Sequence, residues 1–282
     1  YDQTYFVEIN SDNEVFLLGQ TLGADFPVVN AGFFNEKSHQ FVMQLDENLQ
    51  NIIHSTTFGN SASQQVDIAP SAFLVDICGN IYVSGWGWPV SNMPTTNDAF
   101  QPDLPGGNGD FYLMVMKKNF NELLYATYMG GSSSGEHVDG GTSRFDKDGV
   151  VYQSVCAGCG GHSDFPTTPE AWSADNNSSN CNNLVFKFDH KAFGVAEFWV
   201  SDTASCTPFT ITFQNVSSQA HEYNWDFGDG TNSSTDFNPT KTYNIPGNYE
   251  VTLSINDTVC PLRDTMRVNL KITPKIVYDM PN

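Results

Sequence analysis

Short apolar runs parted by Gly, Asn, Asp and Pro turns set the pattern of this chain, which predicts an all-β protein. Asp12-Asn-Glu-Val-Phe-Leu-Leu-Gly19, Cys78-Gly-Asn-Ile-Tyr-Val-Ser-Gly85 and Asp148-Gly-Val-Val-Tyr-Gln-Ser-Val155 each read as a turn feeding a strand. Gln40–Leu45, Phe111–Met116 and Asn183–Phe188 predict a second strand in each case, and Ile52–Gly59 and Leu123–Gly130 a third. Tyr1–Ile9 also reads as a strand, assigned to the end of another such unit. Further on the alternation sharpens. Tyr223, Trp225 and Phe227 fall on one face and Asn224 and Asp226 on the other, the period-2 signal of a half-buried strand. Gly228-Asp229-Gly230 then closes it with a turn that needs positive φ. Thr210–Asn215 alternates in the same way, as do Val251, Leu253 and Ile255, and residues 265–273 predict a closing strand.

The first runs form a repeat of roughly 70 residues. Between the first and second strands of each unit stand Asp25-Phe-Pro-Val28, Asn92-Met-Pro-Thr-Thr96 and Asp164-Phe-Pro-Thr-Thr168, followed by Phe33, Phe100 and Trp172. A unit of a few short strands cannot bury both faces alone, so neighbours must stack on it. Residues 1–194 are therefore read as one domain of stacked sheets, and 195–275 as a second domain opening at Val195-Ala-Glu-Phe-Trp-Val200. Residues 276–282 are read as a linker. Only about three units are visible, against the four to eight blades of a closed propeller. An incomplete array leaves a sheet edge that needs a partner or a cover.

Tyr223–Thr231 resembles the W-D-F-G-D-G signature of the PKD domain, an immunoglobulin-like sandwich common in extracellular proteins. Pro239-Thr-Lys-Thr-Tyr243 and Pro246-Gly-Asn-Tyr249 resemble a later segment of the same family, which implies that Tyr249 is the corner tyrosine of the sandwich. The turn-strand, F-P-T-T, strand and T-Y-x-G-G landmarks over roughly residues 1–194 resemble the beta-propeller repeats of bacterial secreted proteins. With Cys156-Ala-Gly-Cys-Gly-Gly161 and the ending Met280-Pro-Asn282, the whole is similar to gliding-motility-associated surface proteins that Bacteroidota export by type IX secretion. That resemblance implies export within a longer precursor, with a C-terminal sorting domain outside this chain.

Composition narrows the partners. Asp and Glu number 32 against 12 Lys and Arg, a formal charge of −20. Such a surface repels nucleic acid and anionic lipid. No apolar run approaches the roughly 20 residues of a membrane helix, and the opening residues read as a strand rather than a signal peptide. Six cysteines point to an oxidising compartment. A bridge between Cys206 and Cys260 is expected within the PKD-like region. Cys78, Cys156, Cys159 and Cys181 allow three pairings that spacing does not decide. Cys156 and Cys159 also read as half a zinc site or a redox pair, but no second C-x-x-C exists and His162 is the one nearby imidazole in sequence.

Candidate chemistry is sparse. Gly131-Ser-Ser-Ser-Gly135 spells G-x-S-x-G around Ser133, but a nucleophile elbow needs a strand-to-helix turn that a propeller unit does not offer. The six histidines are scattered, and the expected protein is not an enzyme and carries no organic cofactor. Calcium is the ion its acidic turns suit, at Asp226 and Asp229 and at Asp146 and Asp148, although neither turn follows the EF-hand pattern. Trp86, Trp88 and Trp172 are candidates for stacking on sugar rings, or for plugging gaps between sheets. Asp202-Thr203, Asp257-Thr258 and Asp264-Thr265 resemble the Asp-Thr O-glycosylation triplet of secreted Bacteroidota proteins, which makes Thr203, Thr258 and Thr265 glycan candidates. The expected function is a non-catalytic structural or adhesive role at the cell surface. The expected partners are other surface proteins, copies of itself or a polysaccharide. The other reading is a glycan-binding module accessory to a polysaccharide-degrading system.

Overall fold

The structure is a computed structural model. It describes the chain except for residues 24, 89, 107–108, 140–142, 148, 191–193, 218–219, 257–262 and 276–282. The linker reading, Asp148, Thr258, Cys260 and the ending at Met280 thus lie outside the described residues. The chain divides into two compact units, Tyr1–Ala192 and Phe193–Asn282.

The first unit is a series of antiparallel meanders. β1 (Asp2–Ile9), β2 (Val15–Thr21), β3 (Gln40–Leu45) and β4 (Ile52–Phe58) form one sheet in chain order. β5 (Ala69–Val75), β6 (Ile81–Gly87), β7 (Asp110–Met116) and β8 (Leu123–Met129) repeat the arrangement. β9 (Ser143–Phe145), β10 (Val151–Ala157) and β11 (Asn182–Phe188) form a third sheet of three strands. The first strands stand together, β5 touching both β1 and β9, which is how propeller blades gather around an axis.

Tyr1–Ile9 does not end another unit. β1 pairs with β2 from Asp2 opposite Thr21 to Ile9 opposite Val15, so it opens the first sheet. Its counterparts β5 and β9 were not legible as strands. In β5 the register shifts between Pro70 and Ala72, which breaks the alternation.

Packing explains the reading of each strand. Phe16, Leu18, Val42 and Phe58 of the first sheet meet Phe73, Val83, Tyr112 and Met114 of the second. On the other face of the second sheet, Phe111, Leu113 and Met129 meet Val151, Val155 and Phe165 of the third unit. β7 is therefore buried at every residue, and its run Phe-Tyr-Leu-Met-Val-Met is apolar throughout because both of its faces are covered. β1 and β11 each have one open face, and Val7, Ile9 and Val185 are exposed there.

The proline loops have a structural task. Val29 pairs with Ser55 beside β4, and Thr96 N–H donates to Ala126 O of β8 at 3.1 Å. Each loop thus blunts the outer edge of its sheet.

The second unit is an immunoglobulin-like sandwich. Its strands are β12 (Phe198–Trp199), β13 (Ala204–Cys206), β14 (Phe209–Thr212), β15 (Gln214–Asn215), β16 (Glu222–Asp226), β17 (Thr240–Tyr243), β18 (Gly247–Asn256) and β19 (Arg263–Thr273). The main sheet runs β13-β19-β18-β16, with smaller pairs β14-β17 and β12-β15. Trp225 and Phe227 are buried, Tyr223 is half-buried, and Asn224 and Asp226 face solvent. Gly228 and Gly230 take φ of 71° and 73°, as the turn requires. Tyr249 Oη donates to Ile245 O at 2.7 Å, the hydrogen bond of a corner tyrosine.

The expected Cys206–Cys260 bridge is corrected. Cys206 is a free, exposed thiol facing Thr273 Oγ1 at 3.3 Å. β13 runs parallel to β19 and sets Cys206 opposite Thr273, at the end of β19. Cys260, the other end of that bridge, lies outside the described residues.

Candidate functional site

The tryptophans separate once the sheets are formed. Trp86, inside β6, packs with the core between the second and third sheets, and its ring centroid lies 5.8 Å from that of His137. It is half-buried and plugs the gap between the two sheets, the packing alternative for these tryptophans. Trp172 is fully exposed. Trp88 stands just beyond the end of β6, is 63% exposed, and borders a cleft of about 320 Å³.

Two glycines place that ring. At Gly87 an added Cβ would lie 2.0 Å from Asp67 O, so the Asn60–Asp67 connection presses directly on the end of β6. At Gly109 an added Cβ would lie 2.6 Å from Trp88 Cε3, so the indole lies over bare backbone. The rest of the cleft comes from the connection between β4 and β5. Asn60, Ser63, Gln64, Gln65, Val66 and Asp67 line it with Ser91. Asp67 is nearly buried, accepts Asn60 N–H at 2.9 Å, and burial raises its carboxyl above the usual range. His39 braces the connection from below, with Nε2 3.3 Å from Ser63 O. One aromatic face beside amides, hydroxyls and a carboxylate, with no Lys or Arg among the described lining residues, suits a neutral, hydroxyl-rich ligand. The polar run Asn60–Gln65 reads in sequence only as a loop, so its part in the cleft was not legible.

A second cluster surrounds the C-x-x-C. Cys159 is bonded to Cys181, Cys78 is also in a disulfide, and Cys156 keeps a free thiol. The antiparallel bridge between His137 and Cys156 brings the imidazole within 4.8 Å of the Cys156 and Cys159 sulfurs. His162, the imidazole nearest in sequence, is not in this group. Burial and Asp139 push the Cys156 thiol pKa up, so it is a poor nucleophile at neutral pH. Peptide mapping under non-reducing conditions is expected to show Cys159 joined to Cys181 and alkylation of both Cys156 and Cys206. A Cys156–Cys159 link would contradict this arrangement.

The described aspartates of the acidic turns have partners within the protein. Asp229 Oδ2 lies 2.8 Å from Lys241 Nζ, and Asp229 Oδ1 accepts both the N–H and the hydroxyl of Thr231. Lys241 also stands 5.0 Å from the Phe227 ring centre, so an ammonium already holds the place of a cation. These contacts keep the Asp229 carboxyl below the usual range despite some burial. Asp226 Oδ1 accepts Gly228 N–H of its own turn. Asp146 does the same with Val150 N–H, as ordinary turn formers do. Ser133 lies in a loop with its N–H on Asp164 Oδ2 at 2.6 Å, not at an elbow. Thr203 and Thr265 are both exposed, Thr265 on the open face of β19.

The fold defined by these elements is that of propeller-like sheets followed by a sandwich. Residues 196–268 match the PKD domain family, so this stretch is a PKD domain, a module typical of extracellular proteins. Among solved structures, the PKD1 domain of the Vibrio cholerae metalloprotease PrtV is 32% identical, over 28% of this chain and 96% of that one, with a TM-score of 0.25. The PKD1 domain of Vibrio anguillarum Epp is 23% identical over 29% and 95% of the two chains, with a TM-score of 0.25. PorZ, a surface component of the type-IX secretion system of Porphyromonas gingivalis, is 8% identical over 96% and 38%, with a TM-score of 0.21. No curated protein matches the chain. Among the described residues, no helix is long and apolar enough to cross a membrane.

Proposed function

We propose that this is a non-enzymatic adhesion protein of a bacterial cell surface, exported within a longer precursor, whose sheet unit binds polysaccharide at the Trp88 cleft. The PKD sandwich serves as its spacer. The exposed indole beside a polar wall of amides, hydroxyls and the Asp67 carboxyl carries this reading, because a pyranose ring offers an apolar face to stack and hydroxyls to bond. The PKD domain supports the extracellular setting. Calorimetric titration against a panel of neutral polysaccharides is expected to find a binder, and Trp88→Ala should weaken it at least tenfold, a loss of about 1.4 kcal/mol. Trp172→Ala should leave the affinity unchanged. Flat titrations across the panel would overturn the reading.

A second reading is assembly with copies of itself or with other surface proteins. The open faces of β1 and β11, with Val7, Ile9 and Val185 exposed, favour it. Light scattering should then show mass rising with concentration, and a monodisperse monomer in the presence of calcium would count against it. O-glycans at Thr203 and Thr265 belong to the same extracellular reading and would appear as added intact mass.

A further inference from the structure

β7 opens with Asp110, which is 0% exposed and whose two carboxylate oxygens meet no hydrogen-bond donor among the described residues. Glu136, also 0% exposed, faces it beside Gly130. A Cβ on Gly130 would lie 1.8 Å from Asp110 Oδ1 and 3.0 Å from Glu136 Oε2. Asp164, from the proline loop of the third unit, is the third carboxylate. Its Oδ2 accepts Ser133 N–H at 2.6 Å and Ser134 N–H at 3.1 Å, while its Oδ1 is buried and unpartnered. That Oδ1 lies 2.5 Å from where a Cβ of Gly131 would stand. Two successive glycines thus leave bare backbone where the three carboxylates approach.

The cluster is built rather than accidental. Glu136 Oε1 accepts Ser134 Oγ–H at 2.5 Å and Gly158 N–H at 3.3 Å, and its Oε2 accepts Gly131 N–H at 3.1 Å. Gln101 grips both the N–H and the carbonyl of Gly130. The loop is therefore pinned with its carboxylates inward. Among the described residues no Lys or Arg pairs with any of the three.

Buried carboxylates without a countercharge cost several kcal/mol each. Asp110 and Glu136 face each other as two acceptors, so only a proton or a cation between them satisfies the pair. Burial first, then Glu136, pushes the Asp110 carboxyl up to about 8. One proton would still leave the second Asp110 oxygen and Asp164 Oδ1 without a partner. A hard divalent cation between Asp110 and Glu136, with a bound water reaching Asp164 Oδ1, satisfies all of them. Oxygen-only donors in an irregular loop suit calcium, which takes six to eight oxygens flexibly, better than magnesium, which demands a small octahedron.

We propose that Asp110 and Glu136 ligate a calcium ion, with Asp164 as an outer, water-bridged carboxylate, and that this ion ties the second sheet to the third. It lies away from the acidic turns at Asp226, Asp229 and Asp146, and does not depend on the polysaccharide reading.

The test uses the full chain. Protein stripped with a chelator is titrated with calcium chloride by calorimetry and by thermal melting, and the untreated protein is assayed for metal content by mass spectrometry. The expected result is one calcium per chain and a melting temperature that rises with calcium, as linkage requires. Asp110→Asn should abolish the calorimetric signal, and Asp164→Asn should weaken it about tenfold. Asp229→Asn, whose carboxylate pairs with Lys241, should leave it unchanged. Should Asp110→Asn fail to fold, Asp164→Asn alone decides between a weakened and an unchanged affinity. Absence of calcium binding by the wild type would leave a shared proton and overturn the proposal. So would an affinity unchanged in Asp164→Asn and in a folded Asp110→Asn, since the ion would then sit elsewhere.

Discussion

Replacing Trp225 by alanine is expected to destabilise the PKD unit by about 3–5 kcal/mol, the usual cost of removing a large buried aromatic side chain. Trp225 is 0% exposed and sits between Phe198 and Phe213, at ring-centroid distances of 5.0 and 5.5 Å. Its indole N–H donates to Asp236 O at 2.9 Å, anchoring the loop that follows the glycine turn. Truncation empties the middle of the core and leaves that carbonyl without its donor, which adds to the loss. A domain of this size has only about 5–15 kcal/mol in total. Urea unfolding followed by far-UV circular dichroism should therefore show a second transition moved to much lower denaturant. Trp225→Phe, which keeps most of the volume but not the N–H, should fall between. A shift below about 1 kcal/mol for the alanine variant would mean that Trp225 is not the keystone of this core.

The first unit is expected to lose about 3 kcal/mol of stability between pH 6.5 and pH 4 through His190 alone. This imidazole is 2% exposed and ringed by Tyr82, Tyr125, Phe145 and Phe188. Its Nδ1 meets Gly149 O at 3.1 Å, and its buried Nε2 has no partner among the described residues. Burial lowers its pKa from 6.5 to about 4, with the Gly149 contact and Asp189 opposing. The folded state therefore binds fewer protons than the unfolded state between those values. Stability from this group is fully present above pH 6.5, falls as the pH drops, and levels off below about 4. His190→Gln keeps a donor for Gly149 O but does not titrate, so its stability should lack this component of the slope. Denaturant midpoints of both proteins at half-unit pH steps supply the comparison, and parallel curves would refute the assignment. The carboxylates titrate in both proteins, so the difference isolates the imidazole.

The PKD unit was largely legible because its strands are half-buried. Each of Tyr223–Phe227 and Val251–Ile255 shows one face to the core and one to water, and that alternation survives in the residue order. The glycines at 228 and 230 announce their turn because few other residues accept its φ. The repeat was legible for a similar reason, since its turn and proline landmarks recur. β5 and β9 were not, because these strands carry no alternating pattern, and the place of Tyr1–Ile9 depends on its pairing with β2, which residue order does not show.

Sequence by itself determined the class of fold, the order of the sheets and the PKD module, since these rest on local periodicity and turn chemistry. Tertiary structure decided which residues meet. It separated Trp88 at a cleft from Trp86 in a core, set Cys206 beside Thr273, and put Lys241 on Asp229. It also brought Asp110, Glu136 and Asp164 together from three separate loops and strand ends. Contacts between segments far apart in the chain leave no periodic trace, and a carboxylate's partner depends on which strand folds back beside it.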